Sequence, residues 1–102
     1  MTIQVIDVEA MQKFSADGVQ PIVLYQSEGL VTLLLCLEAG QEVGPCVMTQ
    51  RVVYLIQIGS AQLRVAGEQQ ELKAGSLVVV PAGVNRTLSA QERSRVLAVQ
   101  VP

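Results

Sequence analysis

Cys46 and Met48 stand two positions apart in the stretch GQEVGPCVMTQRVVYLIQIG, residues 40 to 59, just ahead of an alternating apolar run that carries Arg51 and Tyr54. A thiol and a thioether are soft ligands, a plausible pair for Cu(I). A thiolate is also a nucleophile once a base or a lowered pKa activates it. Further along the chain, Arg86 follows the turn residues Pro81-Ala82-Gly83. With Tyr54 and Arg51 it could orient a small carboxylate or phosphate compound, since a guanidinium binds either group through charge-assisted hydrogen bonds.

Against the catalytic options stands a zero: the chain has no histidine. That removes the commonest metal ligand and the commonest general base at neutral pH. Arg86 can lower a neighbouring thiol's pKa but stays protonated and cannot accept a proton, so nucleophilic catalysis by Cys46 is weakly supported and no catalytic residue is assigned. A redox-sensitive thiol stays open, with surface exposure the deciding observation. Met fills irregular gaps in cores and free Cys behaves as a small hydrophobe, which favours a core reading of Cys46 and Met48 over a metal site. Cys36 supplies a third soft ligand only if its strand faces inward. For Arg86 the favoured alternative is a side chain that snorkels to water or pairs with a residue such as Glu42. Tyr54 is read first as a core aromatic whose hydroxyl is satisfied.

These residues sit among short strands. VTLLLCLE is a near-continuous apolar run, while RVVYLIQI, AQLRVA, SLVVVP and RVLAVQV are rich in β-branched residues or alternate in polarity. Gly or Pro breaks the pattern at Gly29, Gly40, Gly44-Pro45, Gly59, Gly67, Gly75 and Pro81-Ala82-Gly83. Many short strands so punctuated indicate an all-β sandwich or barrel. VAGEQQELKAG reads as a hairpin turning at Gly67-Glu68. A short helix from Val8 to Phe14, with Asp7 as N-cap, and a strand near residues 20 to 25 complete the pattern. Period-two alternation puts Cys46, Met48, Val52, Tyr54 and Ile56 on one inward face, and Val53 and Leu55 on the other.

Composition sets the bounds. With 102 residues and neither linker nor repeat, the chain reads as one domain over residues 1–102. Half of the residues are hydrophobic and 16% are charged, against about 25% charged in a typical soluble domain. That apolar excess points to a subunit interface, most simply in a homodimer. The net charge of −2 comes from scattered residues, which gives no footprint for nucleic acid or an anionic membrane. The run LVTLLLCL falls far short of the ~20 apolar residues that span a bilayer, and the N-terminus lacks a secretory pattern. A cytoplasmic protein with reduced thiols is the expectation.

Two segments resemble the paired motifs of the cupins, small jelly-roll β-barrels. Gly40, five residues, Cys46-Val47-Met48, three residues, Val52, six residues and Gly59 match the first motif's spacing. Gly75, five residues, Pro81-Ala82-Gly83, two residues and Arg86 match the second. The resemblance covers about residues 30 to 101, with Ser60 to Lys73 as the hairpin between motifs. It implies an all-β, cupin-like jelly roll with one short N-terminal helix. In cupins two His, a Glu and a further His at these positions hold one Fe, Mn, Ni or Zn ion. Here Cys46, Met48, Val52 and Arg86 replace them, so the resemblance implies no metal cofactor. The expected function is a non-catalytic module that binds a small, anionic metabolite or serves as a dimeric structural unit. The alternative is a metal-independent isomerase or epimerase acting on a small anionic substrate, although the family's sugar epimerases use a His base that this chain lacks.

Overall fold

The computed structural model describes residues 2–101; Met1 and Pro102, the ends of the expected domain, lie outside the described residues. Among the described residues, helix α1 (Val8–Met11) precedes nine strands: β1 (Ile22–Ser27), β2 (Leu30–Leu37), β3 (Glu42–Val47), β4 (Arg51–Ile58), β5 (Ser60–Val65), β6 (Glu68–Lys73), β7 (Leu77–Val80), β8 (Asn85–Ala90) and β9 (Ser94–Val101). They form a five-stranded sheet of order β1-β2-β9-β4-β7 and a four-stranded sheet of order β3-β8-β5-β6. Every pairing is antiparallel.

Alternation decides which side chains meet between the sheets. From β4 come Val52, Tyr54 and Ile56; β2 adds Leu35 and Leu37, β9 adds Val96 and Ala98, and β5 and β8 face them with Ala61, Leu63, Leu88 and Ala90. Burial of a Val, Leu or Ile side chain contributes about 1.5–3 kcal/mol, so this cluster supplies the main drive to close the barrel. Val53 and Leu55 point the other way and are half-buried, as the alternation requires. On that outer face, register lines up Leu34, Leu97, Leu55 and Leu77 in one row and Thr32, Val99, Val53 and Val79 in the next.

Three local details differ from the sequence pattern. The helix starts where expected, with the Asp7 carboxylate accepting from the Ala10 amide at 3.1 Å, but ends at Met11. Gln12 is already extended, and tertiary contacts hold the segment from Gln12 to Phe14 out of the helix: Arg95 donates to the Gln12 side chain at 3.0 Å, and the Arg93 guanidinium lies 3.8 Å from the Phe14 ring centroid. So short a helix has little stability to oppose them. The hairpin turns at Ala66-Gly67 and not at Gly67-Glu68, because Val65 pairs with Glu68 and both loop residues take positive φ, 29° and 83°. That is the backbone sense a two-residue hairpin loop needs. Finally, β3 runs through Gly44-Pro45 by means of an irregularity between Val43 and Cys46 and resumes pairing with β8 beyond it.

Gly59, between β4 and β5, has φ +88°, and a Cβ there would run into the Arg93 carbonyl and Ser94. Gly75 has similar backbone, φ +92°, but open space around it. Gly75→Ala is therefore expected to cost about 1–3 kcal/mol, the strain term alone. Gly59→Ala adds a clash with backbone and should cost clearly more. Paired urea titrations measure the difference, and equal losses would refute this account.

Candidate functional site

The site is built outward from β8. In register, Arg86 lies opposite Cys46 on β3 and Val65 on β5, so the three side chains share a face. It is the inward face, which β8 continues with Leu88 and Ala90 of the core. The Arg86 guanidinium consequently sits inside the barrel, 5.8 Å from the centroid of the Tyr54 ring, and the residue is only 2% exposed. No group among the described residues hydrogen-bonds its Nε or Nη1.

The snorkelling and ion-pairing expectations for Arg86 both fail here, for a geometric reason. Glu42 pairs with Ser89, one of the outward positions of β8, and its carboxylate meets Arg64 at 2.9 Å on the outer surface. Glu42 and the Arg86 guanidinium therefore lie on opposite faces of one sheet. An uncompensated buried charge costs several kcal/mol even after relaxation. The cation–π contact with Tyr54, at 5.8 Å, returns on the order of 2 kcal/mol, which offsets only part of that cost.

Tyr54 is buried at the core end of this cluster. Burial pushes its phenol above the ordinary tyrosine pKa; the charge of Arg86 and a hydrogen bond with it pull the other way, and Cys46 adds a small push upward. At neutral pH the phenol is therefore a hydrogen-bond donor and no base. Cys46 is half-buried beside Arg86, and Met48 packs against the core while its carbonyl accepts from the Gly83 amide at 2.8 Å, tying the first motif to the second.

Two residues singled out in the sequence fall elsewhere. Arg51 is exposed and pairs with Val101, one position out of phase with inward Val52, so it points away from the barrel. Cys36 is buried opposite Arg95 on the outer face of the five-stranded sheet, between core residues Leu35 and Leu37, and cannot join Cys46 and Met48 as a third soft ligand.

A group that sequence reasoning missed adjoins the cluster. An apolar crevice of about 180 Å³ runs between β6 and β7, where the sheet edges face each other, lined by Leu63, Val65, Val78, Val80, Pro81 and Val84 with Glu68 and Gln70 at the β6 side. Val65 is the register neighbour of Arg86, and Val78 that of Tyr54. Periodicity marks SLVVVP as a strand but cannot say that its edge is left uncovered. A larger cleft of about 330 Å³ shares Val65 and Glu68 with the crevice and is lined by Pro45, Arg64, Asn85, Arg86 and Thr87 as well.

The lumen does not suit a divalent ion of the kind cupins hold at the corresponding positions. Val52 occupies the carboxylate position in the core, Cys46 and Met48 offer only two sulfur donors, and the fourth position carries a permanent positive charge that repels a cation. Among the described residues, no three His, Cys, Asp or Glu side chains gather into a metal-binding group.

Comparison with known proteins gives the fold a wide kinship. No family model matches the chain, and no curated protein does. Among solved structures, an RmlC-like cupin protein from Desulfovibrio desulfuricans aligns with TM-score 0.90 at 15% identity, covering 99% of this chain and 98% of that one. A protein with a double-stranded β-helix domain from Klebsiella pneumoniae gives TM-score 0.90 at 18% identity over 99% and 91% of the two chains. A conserved protein of unknown function from Streptococcus pyogenes gives TM-score 0.84 at 26% identity over 99% and 89%. With two antiparallel sheets, both motif spacings on the matching turns and these neighbours, the chain has the jelly-roll fold of the cupins.

Proposed function

We propose that this cupin barrel is a cytoplasmic, non-catalytic module that holds a small anionic metabolite on Arg86 and works as a homodimer. The observation that carries the reading is the guanidinium at 2% exposure with Nε and Nη1 unpartnered. A buried cation without a carboxylate is stabilised by an anion that enters from solution, and carboxylate or phosphate oxygens match its N–H groups. Tyr54 and Cys46 flank it as additional weak donors. Binding is favoured over turnover because the groups at hand, a permanent cation and a phenol kept protonated by burial, do not take up a proton near neutrality. No helix among the described residues is long and apolar enough to cross a membrane.

The dimer rests on a separate observation. On the outer face of the five-stranded sheet, Leu77 is 61% exposed and Val79 51%, continuous with the Leu55 and Val53 rows. Strand β7 is also that sheet's edge. Apolar surface so placed fits a second copy packed about a two-fold axis.

Three outcomes are expected. In a thermal-shift screen of small carboxylates and phosphorylated metabolites, at least one compound stabilises the protein and Arg86→Met abolishes its effect; a screen without hits, or equal shifts in both proteins, sinks the binding reading. Without ligand, Arg86→Met should be more stable than the parent by about 1–4 kcal/mol, because an unpaired buried charge is exchanged for an apolar side chain. In the same variant the Tyr54 phenol loses the charge that lowers its pKa, so it ionises at still higher pH. Stability drawn from that raised pKa is complete below the ordinary tyrosine value of 10.0 and fades only as pH climbs through the folded value; ultraviolet titration above pH 10.0 tracks both. Leu77→Glu with Val79→Lys should yield a monomer by light scattering, and an unchanged mass, or a parent that is already monomeric, would refute the dimer.

A further inference from the structure

We infer that the anion is a small monocarboxylate with an apolar chain, its carboxylate on Arg86 and its hydrocarbon in the crevice between β6 and β7. This rests on the anion-binding reading and narrows it by charge, wall chemistry and size.

Charge comes first. Arg86 is the cation among the residues that face the lumen; Arg51, Arg64, Lys73 and Arg93 are exposed, and Arg95 is engaged with Gln57 and Gln12 outside the barrel. One guanidinium neutralises one carboxylate. A phosphate dianion would leave a second negative charge in a low-dielectric interior, which is costly without another partner. Glu68 at the β6 side of the crevice repels any anion, and a dianion more strongly than a monocarboxylate.

The walls then favour an apolar body. Leu63, Val65, Val78, Val80, Pro81 and Val84 offer no side-chain hydrogen bond, and the polar side chains, Glu68 and Gln70, stand at the β6 side. Away from that side a sugar acid would bury hydroxyls without partners, at a penalty for each one, whereas methylene groups would gain by leaving water. Register supplies the continuity. Val65 and Val78 line the crevice and stand opposite Arg86 and Tyr54, so the apolar channel begins one strand spacing from the cation. Its volume of about 180 Å³ falls below the roughly 300 Å³ at which drug-sized pockets start, which limits the ligand to a short chain.

The test is titration of the full chain, read by calorimetry and thermal shift, with acetate, butyrate, hexanoate, hexanol, gluconate, glucose 6-phosphate and inorganic phosphate. Hexanoate should bind at least tenfold tighter than acetate, as added buried methylenes predict. Hexanol, lacking the charge, and gluconate, lacking the apolar chain, should bind at least tenfold more weakly than hexanoate. Arg86→Met should lose hexanoate binding, and Val84→Phe, which narrows the crevice, should weaken hexanoate by more than it weakens acetate. If Val84→Phe does not fold, the ligand series on the parent protein decides alone. Gluconate, glucose 6-phosphate or phosphate binding as tightly as hexanoate, with dependence on Arg86, would overturn the monocarboxylate assignment and leave the anion site standing. Absence of binding by every anion would overturn both.

Discussion

A positive charge inside the barrel is the constraint that governs the chemistry of this protein. Arg86 is held on the inward face and is only 2% exposed, because the alternation that buries Leu88 and Ala90 fixes its direction as well. Cation–π contact with Tyr54 offsets part of the cost of desolvation, and the remainder is a local violation of the rule that buried polar groups are paired. Such violations gather at functional sites. The same charge explains why a lumen with cupin geometry is unsuited to a cupin ion: two sulfur atoms and a valine facing a guanidinium hold an anion more readily than a metal.

The frame and the site answer to different physics, so the frame does not depend on what the site holds. Gly59 is demanded by a positive φ and by the Arg93 carbonyl, whatever fills the barrel. The hydrogen bond from Gly83 to the Met48 carbonyl joins the two motif segments through main chain alone and is indifferent to the side chain at position 48. Spacing in the sequence therefore reports the fold faithfully. It carries no information about what the barrel binds, because ligands enter through side chains that the turns never test.

This division also sets how much could be read from residues alone. Inward placement of Val52, Tyr54 and Ile56 followed from period two, since β4 is regular across its core. The partner of Arg86 did not, because Glu42 and Cys46 belong to a strand whose phase slips between Val43 and Cys46. Val43 and Cys46 both face β8 from within, although three positions separate them and a regular strand would oppose them. An extra residue at an irregularity changes every subsequent side of the strand, and nothing in EVGPCV states where the slip occurs. Arg51 lies apart from the cluster because its odd separation from Tyr54 along a regular strand puts the two on opposite faces. The early end of α1 lay beyond local pattern, since it depends on Arg93 and Arg95 from the far end of the chain.

Strand β7 concentrates what remains. It is four residues long, it edges its sheet, and both of its faces have work outside ladder pairing. Val78 and Val80 look into the crevice beside Tyr54 and Val52, while Leu77 and Val79 carry the exposed rows of the outer face. Among the described strands its one ladder partner is β4, so its position is set from one side. A short edge strand with an uncovered flank is the part of a sheet most easily shifted or recruited by added contacts. A second copy seated on Leu77 and Val79 would hold β7 against β4 and fix the width of the crevice behind it. If both proposals hold, the apolar excess of the composition serves two surfaces through one strand, and the geometry of the proposed crevice is tied mechanically to that of the proposed interface.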